Sequence, residues 1–246
     1  MFQGIYAAAS GMFCDMQKME VISGNLANSQ TPGYKKNVVV TNNFSQHLKN
    51  NFQTKTKNST KVSSSTHTDF SPGIFIRTDG DLDLCLKSPG FFVLKTPWGQ
   101  AYTRNGALRL DEEGYLVDHT GKHYLLGQKG LINLAGSQNI SISEDGTIFN
   151  DGAKIDQLLL VNFKHPEKLI RRSASLFAAP QDLKPKPEHN PIVSQYHLEN
   201  SNSNAGAAIS EMTKMLAVFR HYEACQKVIN TEDELIAKTL NELAKV

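Results

Sequence analysis

Residues Ala208–Leu243, AISEMTKMLAVFRHYEACQKVINTEDELIAKTLNEL, decide the fold of this 246-residue chain. Read in steps of four and three, the run keeps mainly apolar side chains in register for about five heptads, which predicts a long helix that packs on other helices. At 1.5 Å per residue that helix would be about 54 Å long, so part of it must project from any compact domain. The predicted seam is Ala208, Met212, Met215, Phe219, Tyr222, Gln226, Ile229, Asp233, Ile236, Leu240 and Leu243.

Two positions of this seam, Gln226 and Asp233, are polar. In a coiled coil, such positions weaken packing but fix the register and the number of partners. An amphipathic helix lying on a globular core is the alternative, but helices of that kind usually run for about 8–20 residues.

A second seam occupies the first 26 residues, at Ile5, Ala9, Met12, Met16, Met19, Ser23 and Leu26. Gly4, Gly11 and Gly24 lie within this run, and each costs about 1 kcal/mol relative to alanine inside a helix. We therefore expect this helix to need a partner, which the C-terminal seam of the same chain or of a neighbour would supply. The helix should stop before Pro32-Gly33, a pair through which no helix continues.

Composition excludes several classes of protein. The net charge of +2 is too balanced to indicate a nucleic-acid or anionic-membrane partner. No apolar run reaches membrane-spanning length, so we expect no membrane insertion. The three cysteines (Cys14, Cys85 and Cys225) show neither a disulfide framework nor metal-ligand spacing and should be small buried residues. The first positive charge, Lys18, follows the apolar N-terminal stretch, unlike in a cleaved secretory signal.

The segment from Thr41 to Thr68 is rich in polar residues, with Phe52 and Val62 the only large apolar ones beyond Lys49. It cannot bury enough surface to order alone, so it is either a disordered linker or a segment that orders between subunits. Its lysines lack the interleaved aromatic residues of an RNA-binding surface.

From about Ile74 the pattern changes to that of strands. Leu82, Leu84 and Leu86 alternate with polar residues and Cys85, which predicts a half-buried strand, and Phe91–Leu94 predicts the next one. Pairs that favour tight turns recur at short intervals up to about Phe177, which is typical of a compact antiparallel β-domain. These pairs are Trp98-Gly99, Asn105-Gly106, Glu113-Gly114, Thr120-Gly121, Asp145-Gly146 and Asp151-Gly152.

No catalytic arrangement is visible. Asp81 and Asp83 would share one side of a strand, which could serve acid–base chemistry or a metal, but a solvated strand face explains them equally. The histidines show no helical ligand spacing, and no nucleophile elbow occurs. Arg104 is predicted to pair with an acid or a carbonyl. We expect no enzyme activity, cofactor or bound metal.

Three sets of motifs carry a resemblance to a known family. Ser23–Lys36, SGNLANSQTPGYKK, resembles the N-terminal signature of the flagellar basal-body rod and hook proteins. The stretches GDLDL at Gly80, GFFV at Gly90 and AYTRNG at Ala101 resemble the core motif of that family. HLENSN at His197, FRHYE at Phe219 and KVINTED at Lys227 resemble its C-terminal signature.

The resemblance implies a structural subunit of the axial rod, exported unfolded by the flagellar type III apparatus without signal cleavage and located in the basal-body rod that crosses the periplasm. It implies an α+β fold in which the terminal helices pair as a coiled-coil-like inner layer around which the β-domain lies. The implied partners are other copies of the chain, other rod proteins, the export apparatus, and the hook and surrounding ring proteins. Composition, periodicity and turn signals divide the chain into segments 1–36 (helix and signature), 37–73 (extended or disordered), 74–179 (β-domain), 180–203 (proline-containing return linker) and 204–246 (helix).

Two groups of residues should carry this role. The assembly residues on the helix seams are Ile5, Met12, Met16, Met19, Leu26, Met212, Met215, Phe219, Tyr222, Ile229, Ile236, Leu240 and Leu243. The signature residues are Asn25, Leu26, Ala27, Asn28, Thr31, Pro32, Gly33, Tyr34, Asp81, Leu82, Gly90, Phe91, Tyr102, Thr103, Arg104, Gly106, Leu198, Glu199, Ser201, Asn202, Arg220, Tyr222 and Glu223.

Within the family, the resemblance favours the proximal rod type, because Asp145–Ile148 and Asp151-Gly152 match it and no glycine-rich stretch precedes Gly80. The distal rod type is the alternative. From other classes, a dimeric β-domain that binds glycan or peptide, or a metal-dependent hydrolase using Asp81 and Asp83, would also fit parts of the pattern. Helicity, sedimentation and elemental analysis would separate these hypotheses.

Overall fold

The computed structural model describes residues 2–41, 64–136, 139–188, 190–203 and 205–243. The chain divides into two compact units. The helical unit comprises Met1–Ala27, Asn37–Thr68 and Ala208–Val246, and the β-unit comprises Asn28–Lys36 and Asp69–Ala207. The predicted α+β class is confirmed, with a helix near each end and an antiparallel β region between them.

Two helices and a two-stranded ribbon make up the helical unit. The helices are α1 (Phe2–Ala27) and α2 (Ala205–Leu243), and the ribbon pairs β1 (Asn37–Thr41) with β2 (Ser64–Thr68). With 39 residues, α2 is about 58 Å long, close to the length that its heptads predict. In the described part of the chain, neither helix is apolar over a length that would cross a membrane.

The two helices contact each other in antiparallel order. Asp15 on α1 is hydrogen-bonded through its carboxylate to Nδ1 of His221 on α2. A Cβ placed on Gly11 would lie 3.5 Å from the sulfur of Cys225, and one placed on Gly4 would lie 3.1 Å from Oε1 of Glu232. As the residue number rises along α1, the number of its neighbour on α2 falls. These contacts are made by polar and small residues.

Gly24 provides a test of how much glycine weakens α1. A Cβ on Gly24 would meet nothing within 4 Å outside the helix's own nearby backbone. Gly24→Ala should therefore stabilise α1 by about 1 kcal/mol, because alanine loses less backbone entropy in a helix. The midpoint of thermal loss of the circular dichroism signal at 222 nm should rise. A lower midpoint would show that another role of this glycine outweighs helix propensity.

Asn25, at the end of α1, positions the ribbon. Its side-chain amide donates to the carbonyl of Asn37 over 2.8 Å, and its side-chain oxygen accepts the backbone N–H of Asn37 over 2.9 Å. The amide of Asn25 thus acts as a strand neighbour for the first residue of β1. The ribbon occupies both ends of the segment that was predicted to be extended or disordered, and residues 42–63 of that segment lie outside the described residues.

The β-unit contains sixteen strands among its described residues. The strands are β3 (Phe75–Arg77), β4 (Leu84–Leu86), β5 (Phe91–Thr96), β6 (Gly99–Thr103), β7 (Leu108–Leu110), β8 (Leu116–Asp118), β9 (Tyr124–Leu125), β10 (Ile140–Ile142), β11 (Thr147–Asn150), β12 (Ala153–Gln157), β13 (Leu160–Asn162), β14 (Ile170–Arg171), β15 (Leu176–Ala178), β16 (Lys186–Pro187), β17 (Val193–Gln195) and β18 (His197–Glu199), with a 3₁₀ turn at Pro166–Lys168. The longest sheet runs in the order β14-β15-β6-β5-β9-β8-β7, with β13 pairing β5 and β16, and smaller sheets are β10-β11-β12, β17-β4 and β18-β3.

Strand β5 lies at the centre of the β-unit because both of its faces are apolar. Phe92 and Leu94 belong to one buried cluster, and Phe91 and Val93 belong to another. Successive strand residues point to opposite faces, so the two clusters cover opposite sides of β5. The uninterrupted apolar run Phe91–Leu94 is typical of a strand buried on both sides.

Several predicted turns are confirmed, and one is wrong. Pro97 and Trp98 form the two-residue connection between β5 and β6, and Asp151-Gly152, both with positive φ, connects β11 to β12. The pair Asn105-Gly106 makes no hairpin, because β6 pairs with β5 and β15 and β7 pairs with β8. Gly106 instead lies against the backbone of Leu84.

The strand predicted from Leu82 is shorter and more deeply buried than its alternation indicates. Residues 81 and 82 form a turn, so Asp81 and Asp83 do not lie side by side on a strand. All three residues of β4 are buried, including Cys85. The alternation predicted that one side of the strand would face solvent. Instead, β17 pairs with β4, and Cys85 is small and apolar enough to be buried.

The return segment is paired rather than a free linker. Its strands β16, β17 and β18 pair antiparallel with β13, β4 and β3. The prolines of this segment predicted an extended chain correctly but hid the pairing, since a proline at an edge position leaves its other neighbours free to form ladder bonds.

Candidate assembly site

The two signature segments that flank the helices in sequence meet inside the β-unit. The backbone N–H of Gly33 donates to the carbonyl of Glu199 over 2.7 Å. The backbone N–H of Lys36 donates to Oδ1 of Asn202 over 2.7 Å, and the N–H of Asn202 donates to the carbonyl of Tyr34 over 3.3 Å. We call this contact between residues 33–36 and 199–202, together with Arg104, the junction.

A buried charge network lies at the centre of the junction. Glu199 is 1% exposed and Lys35 is fully buried, and the Lys35 ammonium is 2.5 Å from one oxygen of the Glu199 carboxylate. Arg104 lies 3.5 Å from the other carboxylate oxygen and donates to the carbonyl of Leu86 over 3.0 Å. The predicted role of Arg104 as a partner for an acid and a carbonyl is confirmed.

Burying these two cations is energetically unfavourable unless all of their partners are present. Burial lowers the pKa of Lys35 from its ordinary value, and the attraction and hydrogen bond of Glu199 oppose that shift. Burial also lowers the pKa of Arg104, again against the attraction of Glu199. The Lys35 ammonium donates to the carbonyl of Ser71 as well, over 2.8 Å, and Oε1 of Glu199 accepts the N–H of Gly73 over 3.0 Å. One carboxylate thus stabilises two cations and fixes three chain segments.

Tyr34 is held by an arginine that sequence reasoning did not single out. The guanidinium of Arg171 lies 4.8 Å from the Tyr34 ring centroid and 4.9 Å from that of Phe177, a cation–π arrangement on both rings. The same guanidinium donates to the carbonyl of Lys35. Burial lowers the pKa of Arg171 and raises that of the Tyr34 hydroxyl, since each charged form would lose water.

The close packing of the junction requires glycine at position 33. Its φ of +68° falls in the left-handed region, and a Cβ there would lie 2.3 Å from the backbone nitrogen of Asn105. Both the turn and the close approach to the core motif therefore require a residue without a side chain.

On the helices, the least exposed line only partly matches the predicted seam. Along α2 it follows Ala208, Glu211, Met215, Val218, Tyr222, Cys225, Ile229, Glu232 and Ile236. Every second member agrees with the prediction, and the members between lie one residue earlier. On α1 the buried side chains are Cys14, Asp15, Ile22 and Asn25, which lie one or two residues from the predicted positions rather than at them.

Both helices also carry exposed apolar stripes, which combine some of the predicted seam residues with apolar residues outside the seams. On α2, Ile209, Met212, Leu216 and Phe219 recur at steps of three and four, with exposed fractions from 47% to 70%. On α1, Tyr6, Phe13 and Met16 are between 55% and 72% exposed. Apolar stripes at helical spacing are the surfaces that helices use to pack on further helices.

Comparison with known proteins identifies the family. Residues 5–35 match the description "Flagella basal body rod protein", residues 86–150 match "Flagellar hook protein FlgE/F/G D1 domain", and residues 194–243 match "Flagellar basal body rod FlgEFG protein C-terminal". The chain belongs to the flagellar basal-body rod protein family. The three matches follow the order of the motifs in the sequence and include most of the junction.

Individual rod proteins are similar over their whole length. The chain is 28% identical to "Flagellar basal-body rod protein FlgG" of Buchnera aphidicola, covering 97% of this chain and 98% of the relative. It is 29% identical to FlgG of Bacillus subtilis, over 98% and 99%, and 22% identical to the rod protein FlgF of Caulobacter vibrioides, over 100% of both.

The structure separates the rod-family signature residues by burial. Those that pack inside are Asn25, Gly33, Tyr34, Gly90, Phe91, Tyr102, Thr103, Arg104, Gly106, Glu199 and Ser201. Leu26, Asn28, Thr31, Pro32, Leu82, Leu198, Asn202 and Tyr222 are half-buried, and Ala27, Asp81, Arg220 and Glu223 are exposed. The junction gathers Gly33, Tyr34, Arg104, Glu199 and Asn202, whereas Asp81 and Arg220 have no place in it.

The predicted assembly residues also divide. Ile5, Met12, Met19, Leu26, Met215, Tyr222, Ile229 and Ile236 are half-buried, Met16, Met212, Phe219 and Leu240 are exposed, and the side chain of Leu243 lies outside the described ones. Sequence reasoning missed Lys35 and Arg171. Lys35 stood within the quoted signature, but a lysine gives no sign of burial until its acidic partner is known.

Proposed function

We propose that this chain is a structural subunit of the flagellar basal-body rod, which polymerises through the exposed apolar stripes of its terminal helices. The observation that carries the proposal is that Met212 and Phe219 on α2, and Met16 on α1, remain exposed in the single chain. Neighbouring subunits would cover these side chains, and because each is already about half buried, covering the rest would contribute about 1 kcal/mol per side chain. A heterologous contact of this kind that does not close into a ring produces an open helical filament.

The coiled-coil-like packing of the predicted seam belongs to this assembled state. The half-buried line Met215, Tyr222 and Ile229 would be completed by helices of adjoining copies. Because α1 contains interior glycines and contacts α2 through polar groups, its final packing would form on docking, so that ordering of the ends is coupled to growth of the rod. The rod would then transmit torque through this helical layer. The role in assembly implies export by the flagellar apparatus and contacts with other rod, hook and ring proteins.

Replacing Phe219 by aspartate tests the exposed stripe. Phe219→Asp should leave the helicity of the purified chain unchanged, because the side chain is 47% exposed. In cells lacking the native copy, however, incorporation into isolated basal bodies should fall at least about tenfold, since a carboxylate without a partner would be buried between subunits. Asn230→Asp introduces the same charge on an exposed polar position of α2 and should incorporate normally. Normal incorporation of Phe219→Asp would show that the exposed stripe is not part of the interface between subunits.

For the position within the rod, we propose the proximal type. The relatives include proteins named FlgG and proteins named FlgF at similar identity, so this choice rests on Asp145–Ile148 and Asp151-Gly152. Cryo-electron microscopy of basal bodies with a labelled copy should place the subunit at the inner-membrane end of the rod. A position at the outer end would assign the distal type.

A further inference from the structure

The contact between α1 and α2 brings together three side chains with metal-binding chemistry. Asp15, His221 and Cys225 each offer one ligand atom, and these atoms all lie within 4.8 Å of one another. Among the residues that the structure describes, no other group of three such side chains meets this condition. None of the three belongs to the junction or to the exposed apolar stripes.

We propose that Asp15, His221 and Cys225 form a site for a divalent transition metal of the Zn²⁺ class, which fastens α1 to α2. This inference goes beyond assembly of the rod and does not depend on it. It departs from the expectation of no metal because His221 and Cys225, four residues apart on one helix, gain their third ligand only from the other helix.

The donor set suits zinc. A carboxylate oxygen, an imidazole nitrogen and a thiolate sulfur are its usual protein ligands, at about 2.0–2.3 Å from the metal. Such bond lengths in a tetrahedral site place nitrogen and sulfur about 3.6 Å apart. In the structure, Nδ1 of His221 and the sulfur of Cys225 are 3.9 Å apart, so this pair needs little movement, whereas the hydrogen-bonded Asp15 and His221 side chains must move apart to admit the ion. Three protein ligands leave the fourth position to water.

Charge and hydrogen bonding also fit. One oxygen of the Asp15 carboxylate faces His221, and the other accepts a bond from the Lys18 ammonium over 3.2 Å, which fixes the orientation of the carboxylate as an outer partner does in known metal sites. On binding, His221 coordinates through Nδ1 and keeps its one ring proton on Nε2, any proton on Nδ1 passes to solvent, and the thiol of Cys225 also releases its proton to solvent. A dication with one carboxylate and one thiolate gives a site of zero net charge.

The surroundings leave a path for the ion. The His221 side chain is 63% exposed and Cys225 is half-buried, whereas Asp15 is 2% exposed and forms the floor of the site. Gly11, one turn before Asp15 on α1, places no side chain beside Cys225.

Titration of the untagged full-length chain with Co²⁺ and then Zn²⁺ tests the site. We expect one Co²⁺ per chain, a thiolate-to-cobalt charge-transfer band, and displacement of the cobalt by zinc. Cys225→Ser should abolish the band, and Cys225→Ser and Asp15→Asn should each weaken Zn²⁺ binding at least about tenfold. Zinc should raise the thermal midpoint of the helical signal of the parent chain but not that of Cys225→Ser.

Two matched control variants test whether any histidine or cysteine of the chain binds the metal. His165→Gln removes a histidine that also pairs with an acid, Glu167, but has no cysteine partner in the structure, and Cys85→Ser removes a buried thiol. Both should bind the metal as the parent chain does. Absence of saturable one-to-one binding, or a charge-transfer band that survives in Cys225→Ser, would overturn the proposal. Because His221 and Cys225 are not deeply buried, their variants should fold, and His221→Gln supplies a second loss-of-ligand test.

Discussion

Replacing Glu199 by glutamine should destabilise the β-unit by about 3–5 kcal/mol, because removing one partner from a buried ion pair leaves the remaining charge uncompensated. The exposed fractions of Glu199 and Lys35 are 1% and 0%, so water cannot solvate the Lys35 ammonium once the carboxylate is gone. Glutamine keeps the size of the side chain but removes the charge that stabilises both Lys35 and Arg104. The thermal midpoint should fall by roughly 10 °C in a unit of this size.

Trp98, the only tryptophan of the chain, allows the effect to be measured in the β-unit. It lies in the connection between β5 and β6 and stacks on His123 with the two ring centroids 5.8 Å apart. Its fluorescence in a urea titration therefore reports unfolding of the β-unit. Glu167→Gln, in an exposed pair with His165, should leave the midpoint unchanged. Adding Lys35→Met to Glu199→Gln should restore part of the stability, since the stranded ammonium is then gone. A loss below about 1 kcal/mol for Glu199→Gln would mean that the network contributes no more than a surface pair.

Gly106→Ala should be at least as damaging, with an expected loss above about 3 kcal/mol or failure to accumulate folded protein. A Cβ at position 106 would lie 1.8 Å from the carbonyl oxygen of Leu84 and 2.7 Å from its carbon. Both atoms belong to the backbone of the buried strand β4, which cannot rotate away as a side chain could. Relief would require this segment to separate from β4 and to lose the hydrogen bond from the N–H of Leu84 to the carbonyl of Gly106.

A second glycine of the β-unit separates this clash from ordinary backbone effects. Gly136 has a φ of +77°, and a Cβ there would meet nothing within 4 Å. Gly136→Ala should therefore cost only about 1–2 kcal/mol, the penalty of a left-handed conformation. Equal losses in the two variants, measured by the same urea titration, would show that β4 can yield and that the close approach is not essential.

The sequence was most informative where a pattern is local. The heptads of α2, the apolar run of β5 and the turn pair Asp151-Gly152 each specify their structure through neighbours in the chain. On α2, every second member of the seam was placed one residue away from the least exposed line, because steps of four then three and of three then four both keep a seven-residue repeat, and the helix has apolar side chains on both of the resulting faces.

What the sequence could not give depends on distant partners. Lys35 and Arg171 look like surface cations until Glu199, Tyr34 and Phe177 are seen around them. The metal-binding cluster likewise joins residues separated by more than 200 positions, as the bond between Asp15 and His221 shows. The pairing of β17 and β18 was hidden for the same reason, since their partner strands lie far back in the chain.

The junction has a consequence for the order of events during synthesis. Lys35 and Glu199 are separated by 164 positions, and the paired residues of β3 and β18 are separated by 120 to 124. A ribosome builds the chain from its N-terminus, so the lysine has no counterion until roughly four-fifths of the polypeptide has been made. Closing so large a loop is entropically unfavourable and slow, which makes late completion an inherent property of this topology. The nascent polypeptide therefore lacks the tertiary contacts of the junction for most of its elongation.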